Sequence, residues 1–491
     1  MSFTSFSFGL LVAACVLLYY AVPLRHRWLV LLAASWLYYA AAGPSLMIFL
    51  LFSTVTTFLG ASWAEKGSRA GIAVPLILDF GMLAVLKYSN FAILIANRIP
   101  GVSIPMLKLL LPLGISFYTF QSAGYLLDVY WKRCEKETNF FRYALFVSFF
   151  PQLMQGPIGR HASLSPQLIQ GHAFDPSKIQ RGLYRITWGL FKKMVVADNA
   201  ALYVNRIFGA YEDIHALGFQ AALMYSIQLY ADFSGGIDIA LGIAEMFGIR
   251  LDENFRQPYF ASSLTDFWHR WHITLGTWMK DYVFYPITLS GWMGKLRRKC
   301  RKTFGKEIGR ALPVCIANII VFVVVGIWHG PAWHFIAYGV YNGLIIGISG
   351  LLTGTFRGWK KKLGITDQTG WFKGFRILRT FLIVNISWFL DRSVSIGQAC
   401  TMFRESFGSR LFSIGIINPS DPGDCLFRFM TILFGCLCIL AVSILKERGT
   451  DVGGLIAQKP AVARIALITC ALLVCALCGS TEEGGFIYAN F

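Results

Sequence analysis

The sequence predicts an all-α protein that crosses a membrane many times, and three observations carry that prediction. The chain of 491 residues is 55% hydrophobic, 15% aromatic and only 14% charged, whereas an average soluble domain carries about a quarter charged residues. Apolar runs of about 17 to 25 residues, the length a helix needs to cross a bilayer, recur from end to end. Basic clusters stand beside these runs, as they do at the cytoplasmic ends of spans. The expectation is about 11 to 13 membrane helices forming one transmembrane domain over 1–491.

The first run, "FSFGLLVAACVLLYYAVPL" (6–24), has no positive leader and no small-residue cleavage pattern. It therefore reads as a span and not as a cleaved signal. The cluster "RHR" (25–27) follows it, which puts Met1 outside. Residues 1–110 read as N-terminal scaffold, with "SLMIFLLFSTVTTFLGASW" (45–63) typical of its apolar segments. Residues 351–491 read as C-terminal helices, including "FRFMTILFGCLCILAVSIL" (427–445) and "IALITCALLVCALCG" (465–479), with a polar stretch "NPSDPGD" (418–424) among them. The tail "GSTEEGGFIYANF" (479–491) has no positive charge and reads as outside. A formal charge of +19 would suggest nucleic acid in a soluble protein. Here the excess lies in loops such as "KLRRKCRK" (295–302) and "RGWKKKLG" (357–364), where it orients spans and meets anionic membrane lipid. Nucleic acid is not an expected partner. Most of the eleven cysteines lie inside apolar runs, and none forms a Cys-x-x-Cys pair with histidines, so no structural zinc is expected.

Residues 111–350 differ, because polar and ionisable side chains stand there in apolar surroundings. Such groups are expensive in hydrocarbon and usually line a cavity or pathway. The stretch "FFPQLMQGPIGR" (149–160), which includes Gln155, carries two prolines and two glycines and cannot hold an unbroken helix. At membrane depth it must be buried in protein or line a cavity, as re-entrant segments do; the alternative is a surface loop. In "YADFSGGIDIALGIAEMFGIR" (230–250), Ser234, Gly235 and Gly236 are small enough to let a neighbouring helix or a substrate come close. Asp232, Asp238 and Glu245 read plainly as partners of arginines at helix ends, or else as a proton or substrate path.

In "ENFRQPYFASSLTDFWHRWHITLGTWMKDYVFYP" (253–286), Pro258 ends one element and Ser262 or Ser263 caps the next, with Asp266 in its first turn. A helix from about 264 to 284 would put Asp266, His269 and His272 on one face, with His272 against Trp268 at i, i+4. No Glu-x-x-His or His-Glu-x-x-His accompanies these histidines, so no metal is expected. In "VVGIWHGPAWHFIAYGV" (324–340), the 18 residues from Ala311 to Trp328 span about 27 Å as helix. That places "WHGPAWH" at membrane depth toward the outer side, where Gly330 and Pro331 break the helix. His329, framed by Trp328 and Trp333, is open to three readings: packed core residue, haem or metal ligand, or base of a reaction.

The sequence "FWHRWHITLGTWMKDYVFYP", followed about fifty residues later by "GIWHGPAWHF", resembles the membrane-bound O-acyltransferases. So do "LGISFYTFQSAGYLLDVY" (113–130), "FFPQLMQGPI" (149–158) and "ADFSGGIDIALGIAEMFGI" (231–249), so that the resemblance covers roughly residues 1–350. It is strongest to the branch that modifies bacterial polysaccharides, by O-acetylation of alginate-like polymers or by D-alanyl transfer to teichoic acid. The resemblance implies a ring of helices around a central tunnel, with re-entrant segments, in the plasma membrane. It implies His329 of the Trp-His-Gly motif as the catalytic residue and His272 of "RWH" as the second. It implies no bound cofactor; an acyl thioester, acetyl-CoA or an acyl carrier protein, arrives from the cytoplasm as co-substrate. The acceptor is then a cell-envelope polysaccharide or glycopolymer at the outer face, reached with an extracellular acyltransferase partner from the same operon. Two departures, His269 where relatives often carry Arg or Asn and "YPITLSG" (285–291) in place of a Pro-Leu-Gly-Gly turn, bear on the acceptor and not on the reaction.

The chemistry suits these residues. Acyl transfer to a hydroxyl needs a base, and an imidazole with a pKa of about 6.5 serves near neutral pH. The expected function is O-acyl transfer with His329 as base and His272 orienting donor or acceptor. Trp268 or Tyr282 would support the oxyanion, and Asp266, His269, Trp328, Asp232 and Gln155 are further candidates for substrate binding or support. The rival reading from another class is a transporter or flippase using the three acids, which calls for an internal repeat. A haem or quinone protein would be coloured when purified.

Overall fold

In hydrocarbon a backbone can satisfy its N–H and C=O groups only within itself, so apolar runs fold as helices. The computed structural model describes residues 1–209, 211, 218–367, 369–407, 422–480 and 485–487. Among the described residues the regular elements are helical, with an isolated antiparallel bridge between Phe255 and Trp271. Residues 418–421, 481–484 and 488–491, parts of the polar stretch and of the tail, lie outside the described residues.

Six described helices are long and apolar enough to cross a membrane: Pro44–Ala64, Ala70–Ala96, Gly291–His329, Trp333–Leu351, Gly423–Glu447 and Ala461–Cys478. Other apolar helices fall short in length, as Phe6–Ala21 does with 16 residues, or carry charge, as Gly370–Arg392 does at Lys373, Arg376, Arg379, Asp391 and Arg392. The protein is an all-α, multi-pass membrane protein. Its chain forms two compact units, one made of 1–201, 227–253 and 426–491, the other of 202–226 and 254–425.

In the first unit, Met47–Glu65 packs on Ala70–Ala96 and Ile115–Tyr130. The buried Asp79 in this scaffold accepts hydrogen bonds from the Ser53 and Thr56 hydroxyls at 2.7 and 3.0 Å. The stretch 149–158 is buried throughout, so it is enclosed by protein and the surface-loop alternative does not hold. Pro176–Leu190 continues into a π-helical turn, Phe191–Ala197, and both lie against the Gly218–Met246 helix within its 227–246 part. Glycines make that contact close. A Cβ at Gly189 would come within 2.6 Å of the Gly235 carbonyl, and one at Gly182 within 2.5 Å of the Gly242 carbonyl.

The second unit is built on the hairpin of Gly291–His329 and Trp333–Leu351, with Gly370–Arg392 packed on the latter. Gly326 and Gly339 face each other across the hairpin, where a Cβ on Gly326 would lie 3.2 Å from the Gly339 backbone. The basic stretch 295–302, expected as a loop, is helical. Between Lys295 and Lys302 the chain holds good helix formers and no Gly or Pro. The break falls instead at Gly305, whose φ of 80° is a conformation that favours glycine.

Candidate active site

His329 is the last residue of its helix, and Gly330 ends it. A side chain at Gly330 would run into the Phe335 ring, so only glycine lets the chain turn this tightly over Phe335. The turn leaves His329 only 3% exposed. Its ring lies 5.2 Å from that of Trp328 and 5.0 Å from that of Tyr338. Of the two tryptophans framing the motif, Trp328 is buried and Trp333 is exposed. His329 Nδ1 stands 3.2 Å from Oδ1 of Asp391, a buried carboxylate at the end of Gly370–Arg392. The other Asp391 oxygen accepts a hydrogen bond from the Tyr225 hydroxyl at 2.7 Å. The second histidine of the motif, His334, donates from Nδ1 to the Leu390 carbonyl at 2.8 Å.

The expected continuous helix over 264–284 is broken in two. Ser263 caps Leu264–Arg270 by accepting from the Asp266 N–H, as the sequence suggested. The chain then leaves the helix at Trp271 and His272 and resumes as Ile273–Met279, with a π-helical turn over Lys280–Phe284. The cause is long-range. Arg256 N–H donates to the Arg270 carbonyl and Ile273 N–H to the Asn254 carbonyl, which draws the backbone out of its helical path. His272 adopts a left-handed conformation (φ 48°, ψ 53°), a strain of about 1–3 kcal/mol for a residue with a Cβ. As a result Asp266, His269 and His272 do not share a face.

The break turns the His272 ring inward, where it is 3% exposed and 5.9 Å from the Trp328 ring. The two histidines thus flank the same tryptophan. Asn254 Oδ1 accepts from the Thr274 N–H and hydroxyl, each at 3.0 Å, and lies 3.2 Å from His272 Nδ1. Because a backbone N–H can only donate, the atom it faces is the amide oxygen, and His272 must carry its proton on Nδ1. Burial, with His329 nearby, pushes the His272 ring down to about 3, so it is neutral at physiological pH.

The other candidates are placed as follows. Trp268 is half-buried and packs edge-on against Phe322 and near Tyr338. Asp266 binds Arg270 at 2.9 Å, His269 is exposed, and Tyr282 is buried against Trp278. Gln155 and Asp232 belong to the first unit. Gln155 is fully buried against Gly236, where any side chain would collide with its carboxamide.

The three acids proposed for a transport path all have cationic partners in the first unit. Lys193 Nζ binds Asp232 and Asp198, each at 2.7 Å; Lys192 binds Asp238 at 2.6 Å and Ser234 at 2.8 Å; Arg185 joins Asp238 to Glu253; Arg181 binds Glu245. Lys193 also donates to the Gly485 carbonyl, Asp232 accepts from the Ile487 N–H, and the buried Phe486 ring lies 4.4 Å from the Lys193 ammonium. A cavity of about 1080 Å³ in this unit is lined by four basic and four acidic side chains, so it presents no field of one sign. Among the described residues no group of three or more His, Cys, Asp or Glu side chains is arranged to hold a metal ion.

Sequence reasoning missed Asp391, Asn254, Tyr225 and the two lysines. Asp391 and the lysines did carry a signal, being ionisable residues set against apolar runs.

Residues 132–362 match the family model described as the membrane-bound O-acyltransferase family. The chain is 32% identical over 440 residues to a probable alginate O-acetylase of Azotobacter vinelandii, covering 87% of this chain and 81% of the relative. It is 32% identical over 416 residues to a peptidoglycan O-acetyltransferase of Helicobacter pylori, covering 78% and 73%. It is 26% identical over 281 residues to a teichoic acid D-alanyltransferase of Bacillus subtilis, covering 57% and 68%.

Proposed function

Since the chain belongs to the membrane-bound O-acyltransferase family and is an O-acyltransferase, we propose that it moves an acetyl group from a cytoplasmic thioester donor to a hydroxyl of a cell-envelope polysaccharide. The observation that carries this reading is the buried pair of histidines around Trp328, with His329 at a helix break and backed by a carboxylate. Acetyl is favoured over D-alanyl because the relatives named for O-acetylation match at 32% over most of both chains, against 26% over 57% of this chain.

His329 takes the proton of the acceptor hydroxyl through Nε2 as the oxygen attacks the thioester carbonyl. The C–O bond forms, the C–S bond breaks, and the departing thiolate receives the proton from the imidazolium. His272, neutral and fixed with its proton on Nδ1, orients donor or acceptor. Acetyl-CoA or an acetylated carrier protein supplies the thioester, and an extracellular acyltransferase partner presents the polymer hydroxyl at the outer face. Met1 lies outside.

The test supplies purified wild type and His329→Ala with radiolabelled acetyl-CoA, acetylated carrier or D-alanyl carrier, together with polysaccharide fragments and the operon-encoded partner. Transfer from an acetyl donor by wild type alone is expected. Use of the D-alanyl carrier only would replace the acyl group in this reading. Full transfer by a folded His329→Ala protein would remove His329 as the base.

A further inference from the structure

A buried carboxylate is costly unless it is used, and Asp391 is 5% exposed at the end of a mainly apolar helix segment. It does not stand alone. Three side chains or backbone groups from the last turn of Gly370–Arg392 engage the His329 turn and its surroundings. Trp388 stacks on Tyr338 with ring centroids 6.1 Å apart, and Tyr338 in turn lies against His329. The Leu390 carbonyl accepts from His334, and Asp391 Oδ1 faces His329 Nδ1 at 3.2 Å. Tyr225 holds the remaining carboxylate oxygen. Position 391 lies beyond residues 132–362, so the family match does not reach it.

We propose that Asp391 is a positioning residue for His329, holding the imidazole with its proton on Nδ1 and Nε2 toward the reacting hydroxyl. The role rests on the acyl-transfer reading above. An imidazole without such a partner populates both tautomers, and the form protonated on Nε2 cannot accept the hydroxyl proton. In the reaction the proton passes from hydroxyl oxygen to Nε2 and then to the departing thiolate. Asp391 takes no proton; it remains a carboxylate and stabilises the imidazolium while that ion exists. His334 and Tyr225 act one step further out, fixing the backbone and the rotamer of Asp391.

A carboxylate that merely tethered two helices would show the same contacts, so the experiment must separate positioning from tethering. Asp391→Asn, Asp391→Glu and Tyr225→Phe are made in the full-length protein, and kcat and KM for the donor are measured alongside thermal stability. Asp391→Asn is expected to lower kcat on the order of 100-fold or more, the scale of a disabled general base, with KM little changed. Asp391→Glu is expected to recover about tenfold of that loss, and Tyr225→Phe to lower kcat a few-fold. Independently of activity, ¹⁵N NMR of histidine-labelled protein, with His329→Gln to identify the signal, reads the tautomer. Nδ1 should be protonated in wild type, and the tautomers should redistribute in Asp391→Asn.

An Asp391→Asn protein with wild-type kcat, or with an unchanged His329 tautomer, overturns the proposal. So does a collapse of stability with no rescue of kcat by Glu, which would mark Asp391 as a tether. If wild type transfers no acyl group from any donor, the acyl-transfer reading fails, and the tautomer measurement decides the His329–Asp391 relation by itself.

Discussion

The two units bury ionisable groups in opposite ways. In the first, charges cancel: Lys193 is met by Asp232 and Asp198, and Lys192 and Arg185 share Asp238, with each ion pair between 2.6 and 2.9 Å. In the second, two imidazoles each face an oxygen at Nδ1, His272 the Asn254 amide oxygen and His329 an Asp391 carboxylate oxygen, both at 3.2 Å. A lysine surrounded by carboxylates has no chemistry left to offer, since its protons and charge are committed. An imidazole held with its proton on one nitrogen keeps an acceptor lone pair at the other. On the proposed acyl-transfer reading, the kind of partner, and not buried polarity alone, marks the reaction centre.

The largest expected effect that would break this contrast is catalytic. His329→Gln should lower acyl transfer by about 10²–10⁴-fold with the melting temperature nearly unchanged. A loss of fold instead would put His329 in the same class as the lysines. Next is Lys193→Leu, which leaves Asp232 and Asp198 without their shared cation and should cost about 3–5 kcal/mol of stability. Transfer per folded molecule should survive, and calorimetry beside a turnover assay tests both halves. Were Lys193→Leu stable and inactive, the charge cluster would belong to the reaction after all.

Asn254→Ala should cost about 1–3 kcal/mol, because the Thr274 N–H loses a buried acceptor. It should also weaken transfer, since His272 loses its fixed tautomer, and the same two assays report it. The smallest effect is on pH. His272 stays neutral in the folded state down to about 3, while in the unfolded chain it takes up a proton below about 6.5. Stability is therefore present above that range and falls as pH drops through it, by up to about 2 kcal/mol between pH 7 and 5. His272→Gln should flatten this part of the stability curve measured by thermal denaturation.

The parts of the fold legible in the sequence were those set by local rules. The apolar runs became helices, Ser263 became a cap, Gly330 and Pro331 ended the helix at His329, and Gly235 met a neighbouring helix. What could not be read was set by distant residues. Nothing between Leu264 and Phe284 announces a break at His272, because the break is made by Asn254 and Arg256 pulling on the backbone from outside the segment. Asp391 was passed over for a similar reason. Its meaning depends on His329, which reaches it only once the hairpin and Gly370–Arg392 are packed. The intramembrane acids were legible as ion pairs, but the lysines that pair with Asp232 and Asp238 went unread.

The contact between Asp232, Lys193 and residues 485–487 also has a consequence for the order in which the protein is made. The Gly485 carbonyl is synthesised 292 residues after Lys193, and the Ile487 N–H 255 residues after Asp232. At roughly 5–20 residues per second the ribosome needs about 15 to 60 s to cover the longer interval. Throughout that time the nascent first unit holds one carboxylate oxygen and one ammonium proton without their final partners. The described residues of the histidine centre in the second unit, which run from Tyr225 to Asp391, are all made before that. Translation thus begins with the scaffold but completes it last.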